Sequence, residues 1–263
     1  MRSAQDFSAV AVIPAHLASA RFPRKILVHI HGLPMIEHVR RRALLSNYLE
    51  RVIVATCDEE IASVIRGFGG DVIMTANTHL NGTTRIAEAI ENVDCSHVVL
   101  LQGDEPLLLP SHVDKLVSSM ASDISSVAWN ATGPIVKYDE LDLHSFVKCS
   151  IAPNDNIMYC FRRSPSFSSY ENQIQYTRKI LGIIGYRKEF LLSLTQLYSS
   201  PVELCESIEQ LRILENGYPL RSVPVAPSLS SVNEPCDLDS VLHYLTHDPE
   251  QHRLLESILS TNV

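Results

Sequence analysis

The chain has 263 residues, 45% of them hydrophobic and 20% charged, with 10 Gly and 14 Pro, which are the proportions of a globular protein and not of a fibrous or disordered one. Lys plus Arg total 22 against 30 for Asp plus Glu, giving a formal charge of −8 that argues against nucleic acid or an anionic membrane surface as partner. An anionic ligand therefore demands a locally basic site.

Met1 to Ala20 faintly imitates a signal peptide, but Asp6, Pro14 and His16 interrupt its apolar stretch. No run reaches the roughly 18 apolar residues of a membrane span. The six cysteines show no Cys-x-x-Cys pair, so free thiols in a reducing, cytoplasmic compartment are expected.

Residues 8–13 form a short apolar run that predicts a buried strand ending at Pro14. A polar, basic loop follows over 14–34, with a hairpin-like piece from Leu27 to Ile30. Pro34 then starts a helix with Ile36, Val39, Ala43 and Leu44 on its inner face and Arg40, Arg41 and Arg42 mostly on the other. Arg51 to Thr56 predicts a second strand, and Asp58 is placed to cap a helix that stops at Gly69-Gly70. Strand, helix and strand recur at Asp71–Thr75, Thr83–Asn92 and Val98–Leu101, and Ser111 begins another helix. This alternation predicts a mixed α/β fold with a mainly parallel sheet flanked by helices. Short strands at 125–130, 146–151, 157–161 and 180–186 lack intervening helices and predict an antiparallel portion. Helices at 187–197 and 201–215, a strand at 221–225 and a last helix at 235–245 complete the reading. No repeat or linker breaks the chain, so 1–263 is expected to be one domain.

Two segments could carry chemistry. Neither a G-x-G-x-x-G turn nor a P-loop is present. Instead the first predicted strand runs into Pro14-Ala15-His16-Leu17-Ala18-Ser19-Ala20-Arg21-Phe22-Pro23-Arg24-Lys25, where a hydroxyl and several cations gather at a strand's carboxyl end. Such a loop suits a triphosphate, with Ser19 and backbone N–H groups donating and Arg21 and Lys25 neutralising charge. Composition alone does not separate this from a solvated basic loop. After the strand at 98–101 comes Gln102-Gly103-Asp104-Glu105-Pro106, where Asp104 could hold a Mg²⁺ that bridges phosphate oxygens, or could simply shape a turn. His29 and His31 alternate without a third ligand and fit a solvated hairpin better than a metal pair.

Taken in order, these segments resemble a known family. Pro14 to Leu27, Asn81-Gly82-Thr83-Thr84-Arg85, Gln102 to Pro106, Gly182-x-x-Gly185-Tyr186-Arg187 and Glu206-x-x-Glu209-Gln210-Leu211-Arg212 are similar to motifs of the 3-deoxy-manno-octulosonate (Kdo) cytidylyltransferases. The resemblance spans about residues 8–245. It implies a nucleotide-diphospho-sugar transferase type of fold, usually a homodimer, making CMP-Kdo and pyrophosphate from CTP and Kdo for lipopolysaccharide assembly. On it, 1–125 would be mainly nucleotide-binding, 126–220 mainly for the sugar acid and dimer contact, and 221–263 would return to the nucleotide core. Ser19, Arg21 and Lys25 would hold the phosphates, and Pro14, Ala15, Asn77, Gly82 and Arg85 the rest of the nucleotide. Gln102, Arg163, Tyr186, Glu209 and Gln210 would surround the sugar acid, with Asp104 and position 233 for Mg²⁺.

Departures from the family pattern cluster at ligand positions. A family Arg is His16 here, with Arg24 a candidate to supply the missing charge, and a family Asp is Asn233, which keeps an oxygen donor but no charge. Ile180 and Ile184 stand where the family has His and Tyr. Three readings follow. The first is a Kdo cytidylyltransferase, and the second is a cytidylyltransferase for another acid such as amino-Kdo, a nonulosonate or a phosphonate. The third is a catalytically weak nucleotide-binding homologue.

Overall fold

The computed structural model describes residues 7–229 and 231–260. By contacts the chain divides into two compact units, 1–114 with 229–263, and 115–228.

In the first unit, strand β1 (Ala9–Ala15) is buried along nearly its whole length, as its unbroken apolar run requires. The loop after it carries the two-residue strands β2 (His29–Ile30) and β3 (Leu33–Pro34), which pair as a small hairpin. Helix α1 (Met35–Leu44) follows directly on Pro34. The pattern then repeats through β4 (Arg51–Thr56), α2 (Glu59–Gly67), β5 (Asp71–Met74), α3 (Gly82–Ile90) and β6 (His97–Leu101). These four longer strands pair in parallel in the order β6-β1-β4-β5, so the carboxyl ends of β1 and β6 lie side by side. Helix α4 (Pro110–Ser122) leads out of the unit.

The three arginines of α1 do not face solvent. Arg40, Arg41 and Arg42 are all buried, around a Glu37 that has no exposed surface. Arg40 clamps Glu37 with two hydrogen bonds of 2.7 Å and Arg41 adds one of 2.6 Å. Each arginine also donates to a backbone carbonyl: Arg40 to Phe68, Arg41 to Ile258 and Arg42 to Leu108. The cause is a helix that the sequence pattern did not reveal, Pro249–Ser260, which packs on α1 and closes over the face expected to be wet. Leu44, assigned to the inner face, is 43% exposed.

The second unit contains the antiparallel portion. Strand β7 (Ala128–Pro134) is followed by β8 (Lys148–Ile151), β9 (Ile157–Phe161), the short helix α5 (Tyr170–Gln173) and the long strand β10 (Thr177–Arg187). β10 runs antiparallel to β7 and β8, and β8 pairs antiparallel with β9. The pairing of β10 with β7 slips between Ile180 and Ile184, where five residues of β10 oppose three of β7. The Asn130 side chain fills this irregularity by donating to Leu181 O at 2.9 Å.

After α6 (Lys188–Leu194), the single helix expected over 201–215 is two, α7 (Pro201–Glu206) and α8 (Gln210–Glu215). Ser207 adopts the left-handed conformation, φ 54°, and ends the first of them. A buried ion pair of Arg212 with Glu203 then ties the two together at 2.6 Å. Strand β11 (Leu220–Pro224) pairs in parallel with β7 and belongs to this unit, so the chain re-enters the first unit at Leu229 and not at residue 221. There α9 (Asp237–His247) and α10 (Pro249–Ser260) pack Val241, Leu245, Leu255 and Ile258 around Met35, Leu107 and Val232.

Candidate active site

A cavity of about 330 Å³ opens at the carboxyl ends of β1 and β6 in the first unit. Parallel sheets place ligands there because the strand ends and the following helix N-termini leave a crevice. Its walls are the loop from Pro14 to Lys25, the turn His79-Leu80-Asn81-Gly82 with Arg85, and Gln102-Gly103-Asp104. Two glycines permit this close assembly. A Cβ on Gly82 would sit 3.0 Å from Pro14 Cγ, and one on Gly103 would sit 3.2 Å from Ile26 Cδ1 and 3.4 Å from Pro14 O.

The N-terminus of α3 is fixed by its own cap, Asn81 Oδ1 accepting from Thr84 N at 2.9 Å. Asn81→Ala is expected to cost about 1 kcal/mol of stability, a loss that chemical denaturation measures directly. The carboxylate of Glu88 holds the preceding turn by accepting from Ala76 N and pairing with the His79 ring.

Lys25 stands at the centre of the site. Its Nζ donates to Asp104 Oδ2 at 2.6 Å and to Val232 O at 2.8 Å, and Val232 N donates back to Asp104 O at 2.9 Å. The late segment 231–237 is thereby stitched to the turn after β6. Arg21 donates to Asn233 Oδ1 at 2.8 Å. Arg85 is buried and donates to Thr75 Oγ1 at 2.7 Å and to Ala76 O at 3.3 Å. Three cations, Arg21, Lys25 and Arg85, therefore line the cavity against one carboxylate, Asp104, which pairs with Lys25.

His16 lies at the rim, partly exposed. Its partial burial, with the Arg85 and Lys25 cations, pushes the imidazole below its usual value, against the opposing pull of Asp58 and Asp104. The shift favours the neutral imidazole. Arg24 does not make good the charge: it takes a left-handed conformation, φ 61°, is exposed and pairs with Glu60 away from the cavity.

The other expected site residues divide. Pro14, Ala15, Ser19, Arg21, Lys25, Gly82, Arg85, Gln102 and Asp104 converge on the cavity. Asn77 is exposed and outside its lining. In the second unit, Tyr186 is buried on β10 and Glu209 is half-buried before α8. Gln210 is buried, its amide donating to Asn130 Oδ1 at 3.0 Å, so it supports the group that fills the β10 irregularity. Arg163 is 84% exposed, 4.0 Å from Asp142. The residues missed in the sequence are His79, Leu80 and Val232, the last because only its backbone takes part.

The donor set fits Mg²⁺. Asp104 offers a carboxylate and Asn233 an amide oxygen, and the Val232–Asp104 backbone bond holds their segments together. Among the described residues no three His, Cys, Asp or Glu side chains form a metal cluster.

Comparison with known proteins shows the family. The cytidylyltransferase family profile matches residues 10–223. The 3-deoxy-manno-octulosonate cytidylyltransferase of Geobacter metallireducens is 36% identical over 247 residues, covering 90% of this chain and 97% of that protein. The Zea mays protein of the same name is 37% identical over 240 residues, covering 89% of this chain and 79% of that one. Among solved structures, a CMP:2-keto-3-deoxy-manno-octonic acid synthetase complexed with CTP superposes with a TM-score of 0.86 at 34% identity, covering 92% of this chain and 99% of that chain. The inositol-1-phosphate CTP transferase from T. maritima shares the fold at TM-score 0.63 and 15% identity, over 97% of both chains. The chain belongs to the cytidylyltransferase family, in the group of the 3-deoxy-manno-octulosonate cytidylyltransferases.

Proposed function

We propose that this protein transfers CMP from CTP to Kdo, giving CMP-Kdo and pyrophosphate with Mg²⁺ as cofactor. The observation that carries the reading is the strand-end cavity in which Arg21, Lys25 and Arg85 gather in a chain of net charge −8. The anomeric hydroxyl of Kdo attacks the α-phosphorus, the bond to the bridging oxygen of the β-phosphate breaks, and the hydroxyl proton is lost. Little covalent work falls to the protein, so alignment and charge neutralisation dominate.

Lys25 and Arg21 leave Asp104 and Asn233 to meet phosphate oxygens, while Ser19 and the loop N–H groups orient the triphosphate. Mg²⁺ held by Asp104 and Asn233 would supply further neutralisation of the leaving pyrophosphate. In the second unit we assign Tyr186, Glu209 and Arg163 to the sugar acid, with Gln210 acting through Asn130. We take 1–263 as one catalytic domain, working in the cytoplasm, where the free cysteines are at home. We take the protein to be a homodimer, as the family resemblance implies.

A pyrophosphate-release assay tests the reading with CTP, ATP and UTP against Kdo, amino-Kdo, a nonulosonate and a phosphonate. Turnover is expected with CTP and Kdo. Preference for another acid would move the assignment to that acid, and CTP binding without any turnover would leave a non-catalytic homologue. Asn233→Asp adds a carboxylate beside Arg21 and is expected to lower the Mg²⁺ concentration for half-maximal rate several-fold. An unchanged metal dependence would remove Asn233 from the donor set.

A further inference from the structure

Asp58 stands where a helix cap is expected, immediately before α2, yet its side chain makes no capping bond. Its Oδ2 accepts instead from Leu17 N at 2.9 Å, across 41 residues. Leu17 is the point on which the phosphate loop closes, since its carbonyl accepts from both Ser19 N and Arg24 N at 3.0 Å. One carboxylate thus fixes the residue from which Ser19, Arg21 and Lys25 are hung.

Packing holds the later part of the loop, where Ile26 is buried and Phe22 lies against the core, but residues 16–20 are exposed or only half-buried. Behind the loop lies a second cavity, about 630 Å³, with Pro23, Arg24 and Leu27 on one wall and Glu60, Val64 and Phe68 on the other. Two polar links bind the loop to the start of α2, Leu17 to Asp58 and, on the wall of that cavity, Arg24 to Glu60. The second is exposed on both sides and contributes little. The first is a charge-assisted bond to backbone.

We infer that Asp58 is a positioning residue of the nucleotide site, acting through Leu17 to hold the phosphate loop in its binding shape. This rests on the cytidylyl-transfer reading. It makes the segment after β4 part of the site although no atom of Asp58 lines the cavity.

The test compares Asp58→Ala and Asp58→Asn in the full chain. The amide oxygen of Asn still accepts from Leu17, whereas Ala offers nothing. Asp58→Ala is expected to raise KM for CTP about tenfold or more with KM for Kdo unchanged, and Asp58→Asn to stay within about threefold of wild type. Hydrogen exchange at the Leu17 amide should quicken in the Ala variant alone. The inference falls if Ala leaves KM for CTP within about twofold, or if Asn and Ala are equally impaired, which would assign the effect to charge. If the wild type shows no turnover with CTP, the cytidylyl-transfer reading fails, while the Leu17 exchange comparison still decides whether Asp58 holds the loop.

Discussion

Lys25→Met is expected to lower kcat/KM for CTP by about 10²–10³-fold, with most of the loss in kcat. Two effects combine. The ammonium is 11% exposed and its partner Asp104 24%, so neither charge is fully screened by water. Removing the cation takes away a donor placed where charge develops on the departing phosphates. It also leaves Asp104 as an uncompensated carboxylate facing an incoming triphosphate, which repels it. The hydrogen bond to Val232 O disappears as well, loosening the segment that carries Asn233. Steady-state kinetics measure the effect, and thermal unfolding establishes that the variant is folded. A loss of less than tenfold would contradict a central role for Lys25.

The largest stability effect is expected far from the chemistry. Glu37→Ala should destabilise the protein by about 3–5 kcal/mol, measured by urea or guanidinium denaturation. Glu37 has no exposed surface and receives three hydrogen bonds from Arg40 and Arg41, both buried. Alanine would take away the carboxylate that those two guanidinium groups share in the interior. The penalty is that of stranded charge, far beyond the loss of one helix-surface ion pair. A change under about 1.5 kcal/mol would mean that water reaches the arginines.

Glu37 also shows why part of the fold was hidden in the sequence. An amphipathic pattern assigns one wet face, and α1 has none to speak of because α10 covers it. α10 was itself missed: Pro-Glu-Gln-His-Arg-Leu-Leu-Glu-Ser reads as polar, and only Gln251, Leu255 and Ile258 of its described residues are buried. By contrast β1, β4 and β6 were legible because strands covered on both faces are continuous apolar runs. The helix break at Ser207 had no Gly or Pro to announce it.

The site divides in the same way. Lys25, Arg21 and Asp104 could be placed because chemistry-bearing residues gathered at predicted strand ends. Arg24 could not be told from Arg21, since a single left-handed residue turns it outward. Asp58 reads as a cap from its neighbours alone, and only the fold brings Leu17 to it. Gln210 reads as a ligand in its motif, and only the fold shows that its amide nitrogen also donates to Asn130, 80 residues earlier. Spacing along the chain reports local geometry, and these roles depend on distant partners.

The most direct test of the account is a ³¹P NMR time course of the purified protein with CTP, Mg²⁺ and Kdo. The account predicts that the three CTP resonances decline together while free pyrophosphate and one new phosphodiester signal, that of CMP-Kdo, rise in equal amounts, and that omitting Kdo stops the reaction. Release of phosphate or pyrophosphate without the new phosphodiester, or an unchanged CTP spectrum with Kdo and Mg²⁺ present, would contradict it.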